Sequence, residues 1–161
     1  MEGHVTEKNE FYYDDPCMRF GSPPGEGICI IYGNLDKVMM AIADGKLIKP
    51  EFTGSHVAEV MLQVREPGTG QVEIEIPKKY ENNVMIRNLC KLDGKFHHLA
   101  VDKEPIIGAA VAVAHDPYTA MDNAMEIASK VKGDGVYFDV DGFDEIEESI
   151  KKMKKLGWEK F

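Results

Sequence analysis

Apolar residues recur along this chain in two periods, and the change from one to the other divides it. Met1 to Asn9 is polar and patternless, which predicts a loose end or an extended lead-in strand, and Glu10-Phe11-Tyr12-Tyr13 predicts a short aromatic strand. Ile28-Cys29-Ile30-Ile31-Tyr32 is rich in β-branched side chains and predicts a further strand. Leu35, Val38, Met39 and Ile42 then fall at i, i+3, i+4 and i+7, the spacing of one buried helical face. Asn34 suits the N-cap of that helix and Gly45 its left-handed end, with the methionines read as core packing.

From His56 the period shortens. His56-Val57-Ala58-Glu59-Val60-Met61-Leu62-Gln63-Val64 predicts a strand buried on much of both faces, and Gln71-Val72-Glu73-Ile74-Glu75-Ile76 one with a wet face. Val84-Met85-Ile86-Arg87 predicts a short strand whose edge is open to another chain. Asp93-Gly94 lies between two strand-like runs and specifies a two-residue hairpin, because both central residues need φ > 0. His97 and His98 then point to opposite faces, so they do not share a metal, and one exposed with one packed histidine is expected.

After Ile106 the pattern becomes strand–helix–strand–helix. Gly108-Ala109-Ala110-Val111-Ala112-Val113-Ala114 is a strand of small residues that a helix can approach closely. Asp116-Pro117 opens a helix lined by Ala120, Ala124, Ile127, Ala128 and Val131 and closed at Gly133. Gly135 to Val140 predicts the next strand, and Asp141 the cap of a last helix with Phe143, Ile146, Ile150 and Met153 facing inward. The whole predicts a single α+β domain over residues 1–161, antiparallel and β-rich with about three helices. It has a lead-in and loop (1–27), a β-rich body (28–105) and the strand–helix–strand–helix part (106–161).

Composition narrows the function classes. At 161 residues and a net charge of −9, nucleic acid is not an expected partner, since phosphate contacts need clustered Lys and Arg. The lysines near Lys151 to Lys155 follow acids on one helix and match its dipole. Cys17, Cys29 and Cys90 have no paired or metal-ligand spacing, which predicts free thiols and a cytoplasmic setting. No run approaches the ~20 apolar residues that span a bilayer, so no membrane partner is expected.

The chemistry sits in Asp14-Asp15-Pro16-Cys17-Met18-Arg19-Phe20-Gly21-Ser22-Pro23-Pro24-Gly25-Glu26. Prolines and glycines make this a rigid loop, and a carboxylate beside a guanidinium suits a metal–phosphate site, although from the residues alone an ion pair bracing a turn is the more common use of such a pair. The stretch from Asp15 to Pro24 resembles the Glu-x-Asn-x-Arg-Phe-Gly-Asp-Pro-Glu loop of the glycinamide ribonucleotide synthetase (phosphoribosylamine–glycine ligase-like) branch of the ATP-grasp family, including phage-type members. The stretch from Ile107 through Gly133-Asp134-Gly135-Val136-Tyr137-Phe138-Asp139 is similar to that family's chain end.

The resemblance implies the C-terminal part of an ATP-grasp ligase together with its rudimentary hybrid fold. It implies Asp15 and Cys17 at a metal, Arg19 at the transferred phosphate as catalytic and cofactor-binding residue, and Ser22 at the cofactor, with Glu26 behind the loop. Mg-ATP would be held only with a nucleotide-binding N-terminal ATP-grasp partner chain or segment, making the protein a homo- or hetero-oligomer that is inactive alone. A purine-biosynthetic, ATP-dependent carboxylate–amine ligation is the implied reaction. The departures at Cys17, a soft ligand, and at Ser22 and Pro24 suit the alternative, a non-catalytic binding or assembly module. A thiol enzyme on Cys17 has no base beside it in the sequence.

Overall fold

Two long strands, β3 (His56–Val64) and β8 (Ile106–Ala114), pair antiparallel and form the spine of the molecule. The computed structural model describes residues 2–6, 8, 10–15, 25–66, 68, 70–100, 103–141, 143 and 145–157. Small residues on β8 let helix α3 (Pro117–Lys130) settle onto the sheet through Ala120, Ala124, Ile127 and Ala128, all buried. Leu62, Ile74 and Ile107 are the large side chains sealed in this core, and Val111 of β8 is fully buried outside it. Burial of such side chains is the main favourable term in folding. Asp116 caps α3 as its position predicts, its Oδ1 accepting the Thr119 N–H at 2.8 Å.

The spine belongs to a four-stranded sheet in the order β10 (Val136–Phe138), β3, β8, β5 (Val84–Ile86). A second sheet runs β6 (Leu89–Leu92), β7 (Lys95–Ala100), β4 (Gly70–Glu75), β9 (Lys132–Gly133). The β6–β7 turn is the Asp93-Gly94 hairpin, with φ of 50° and 83° at its two residues. A third, two-stranded sheet pairs β1 (Glu2–Val5) with β2 (Phe11–Asp15). Among the described residues all strand pairings are antiparallel and four α-helices accompany them, so the fold is α+β. No helix among the described residues is long and apolar enough to cross a membrane.

Five expectations are corrected. Residues 28–32 do not form a strand: the chain there is helix α1 (Gly25–Ile31), because Gly27 lets a helix lie against β3. A Cβ at Gly27 would stand 3.1 Å from Val57 Cγ2. Helix α2 (Leu35–Ala43) forms where predicted, and Gly45 takes φ +69°, yet α2 buries none of its residues. Asn34 does not cap it with its side chain; Nδ2 donates instead to Lys49 O at 3.1 Å, and Oδ1 accepts from Glu51 N at 2.9 Å.

Both histidines of β7 are buried, His97 at 8% and His98 at 5% exposure, so neither is the exposed one that the alternation predicts. The last helix, α4 (Ile146–Lys155), starts after Phe143 and Glu145, so neither Asp141 nor Phe143 plays its expected part in it. Phe143 packs on the core from outside the helix, while α4 itself buries nothing fully.

Candidate functional site

The sequence-derived site begins at the end of β2, where Asp15 pairs through its backbone with Glu2. Cys17, Arg19 and Ser22 lie outside the described residues. The chain re-enters at Gly25, and Glu26 in the first turn of α1 is the next residue of that stretch with a described side chain facing a partner.

Glu26 meets two groups that sequence reasoning left out of the site. Its Oε1 stands 3.2 Å from Arg87 Nη2, and its own carboxylate is largely covered, with 15% of the side chain exposed. Glu59, midway along β3, accepts the Gly27 N–H on Oε2 at 3.0 Å. Its other oxygen, Oε1, is buried and receives no hydrogen bond.

Burial raises the Glu59 pKa, and the neighbouring Glu26 raises it further through its charge and a shared hydrogen bond; the Gly27 N–H and Arg87 act the other way. Arg87 is set in place from behind: its carbonyl oxygen accepts from His98 Nδ1 at 2.6 Å, which puts the proton of that imidazole on Nδ1.

Four elements thus converge: the first turn of α1, the middle of β3, the residue after β5, and β7. Glu59 announced itself as the one charged residue inside an apolar strand, a signal that could have been read. Arg87 carried no such sign. As oxygen donors, Glu26 and Glu59 are the type Mg²⁺ takes, and the undonated Oε1 fits that role. Two carboxylates supply only part of a six-oxygen shell, and among the described residues no group of three or more His, Cys, Asp or Glu converges.

A shallow hollow of about 310 Å³ lies elsewhere, lined by Glu73, Glu75, Lys132, Gly133 and Asp134 on β4, β9 and the turn that follows. It contains none of the sequence-derived site residues. His56 and His97 each bury an Nδ1 that makes no hydrogen bond.

No protein-family model matches the chain, and no curated protein matches it. Among solved structures it is similar to the phosphoribosylamine–glycine ligase of Thermotoga maritima, with a TM-score of 0.59 and 21% identity. The match covers 74% of this chain and 30% of that one, so the chain spans under a third of that ligase's length. The likeness is one of fold.

Proposed function

We propose that this chain is the C-terminal portion of an ATP-grasp-type, ATP-dependent carboxylate–amine ligase and is inactive by itself. The observation that supports this most is the fold likeness to phosphoribosylamine–glycine ligase over 74% of the chain, joined to the Arg19-Phe20-Gly21 loop motif ahead of α1. In that reading Asp15 holds Mg²⁺, Arg19 meets the transferred phosphate, and Ser22 lines the nucleotide's phosphate end. Mg-ATP, when bound, supplies the phosphoryl group that activates a carboxylate for attack by an amine. Glu26 and Glu59 hold the loop's exit against the sheet, and Arg87 neutralises part of their charge.

The remaining ligands of the nucleotide come from a partner chain or a further segment, because Mg-phosphate sites draw on several elements at once. Titrating Mg-ATP into this chain alone is expected to give no saturable heat. Adding the part of the Thermotoga maritima ligase that lies outside the match is expected to bring binding, and Arg19→Ala to remove it. Tight Mg-ATP binding by the isolated chain overturns this reading.

A second reading is a non-catalytic assembly module. It is favoured by β5, which ends its sheet with one edge unpaired among the described residues, an arrangement open to strand addition. A complex that forms fully and binds no Mg-ATP selects it.

A further inference from the structure

The second sheet has two unlike faces. Val72 and Ile74 of β4 lie on the side that joins the core, and by register His98 and Phe96 of β7 share that side. The alternate positions point the other way. There the pairing sets Cys90 of β6, His97 of β7 and Glu73 of β4 in one row across the sheet. Directly opposed residues have Cβ atoms about 5 Å apart. A thiol, an imidazole and a carboxylate therefore stand side by side in that order.

His97 is the unusual member. It is only 8% exposed although its face is turned away from the core, and its Nδ1 is buried and makes no hydrogen bond. Buried polar atoms are normally paired. His98, next along the strand, shows the ordinary case, its Nδ1 bonded to Arg87 O at 2.6 Å. An imidazole nitrogen without such a bond is free to exchange a proton with a neighbour, and its neighbour on β6 is a thiol.

Cys90 is a free cysteine of intermediate exposure, so a small molecule reaches it from solvent. A change of its χ1 rotamer swings Sγ across the gap of the pair toward the imidazole. On the other flank Glu73 is fixed by Lys95, whose Nζ lies 2.7 Å from Glu73 Oε1. A thiol beside a base that is itself flanked by a carboxylate is the arrangement that activates a sulfur nucleophile. Cys29 on α1 is the contrast: it is exposed, and no histidine lies within four residues of it.

We infer that Cys90 is a site of reversible thiol–disulfide exchange, with His97 as the group that takes its proton and Glu73 as the positioning residue for the imidazole. In the forward step the Cys90 sulfur attacks one sulfur of a small disulfide, and a new S–S bond forms as the old one breaks. The departing sulfur keeps the electron pair of the broken bond and receives, through His97, the proton that Cys90 gave up. One thiol and one disulfide enter and one of each leaves, so no further oxidant takes part. Nothing in this site depends on the ligase reading.

In the test, the full reduced chain is treated with a limiting amount of glutathione disulfide, and the mixed disulfide at each cysteine is followed by mass spectrometry of its peptides. Exposure alone ranks Cys29 ahead of Cys90. The expected result is the reverse, with Cys90 modified at least about tenfold faster, a conservative share of what a positioned base contributes. His97→Gln is expected to bring Cys90 down to the rate of Cys29 or below, and Glu73→Gln, at a surface position, to bring it partway. Neither substitution should move the rate of Cys29. Circular dichroism reports whether His97→Gln is folded, and Glu73→Gln decides where it is not. Cys29 reacting as fast as Cys90 or faster overturns the inference. So does a Cys90 rate that stays unchanged in the folded variant that decides.

Discussion

The carboxylate of Glu59 on β3 accepts the backbone N–H of Gly27 at 3.0 Å, tying the first turn of α1 to the middle of the central sheet. In sequence the bond lies just after the Pro- and Gly-rich stretch that ends at Gly25.

The raised pKa of Glu59 has a sign that can be checked. Below its ordinary 4.5 both folded and unfolded states carry the proton, and no penalty exists. As pH rises past that value the unfolded chain releases the proton first, so folding stability falls until the folded-state pKa is passed and then levels off. Glu59→Gln keeps an acceptor for Gly27 and removes the titration. Its melting temperature, compared with that of the parent protein, is expected to improve on going from pH 4 to pH 7. A parallel response in both proteins counts against burial of this carboxyl.

Asn34→Ala removes two hydrogen bonds from a buried position and leaves Glu51 N and Lys49 O to find water. The expected cost is about 1–3 kcal/mol in denaturant unfolding. Hydrogen exchange should quicken first in residues 33–52. Uniform quickening across β3 and β8 instead would mean that Asn34 serves the core rather than this segment.

Gly108→Ala tests how closely β5 and β8 approach. A Cβ there runs into Met85 O and sits 2.9 Å from Ile86 Cα, both backbone atoms with nowhere to move. The strands must separate, at a cost of roughly 1–3 kcal/mol or more. An unchanged unfolding midpoint in the Gly108→Ala protein would contradict the register given for this pair.

Asp116 is held below its usual carboxylate range by its hydrogen bonds from Thr119, so its contribution to α3 is present above pH 3.8 and fades as pH falls through the lower folded value. Asp116→Ala is expected to lower the melting temperature at neutral pH and to shrink that deficit in strong acid. Asp116→Asn, which keeps the cap oxygen, should lie between. Equal deficits at both pH values would remove the charge from the explanation.

Much of the architecture was legible because local chemistry and tertiary packing agree there. The Asp93-Gly94 turn, the Asp116-Pro117 helix start and the alanine face of α3 each have one good local solution, and the core adopts it. Residues 28–32 went the other way. Their β-branched run favours a strand in isolation, but Gly27 packs against Val57 and Glu59, and a helix is what places it there.

Periodicity alone determined that Leu35 to Ala43 would be an amphipathic helix, since spacing sets which side chains share a face. Whether that face is covered depends on what else is present, and only the folded chain shows Met39 and Ile42 open to solvent. The motif likewise named Asp15 and Arg19, neighbours in sequence. Bringing Glu26, Glu59 and Arg87 together required three separate elements to meet, and contact between distant residues is a property of topology, which no local pattern encodes.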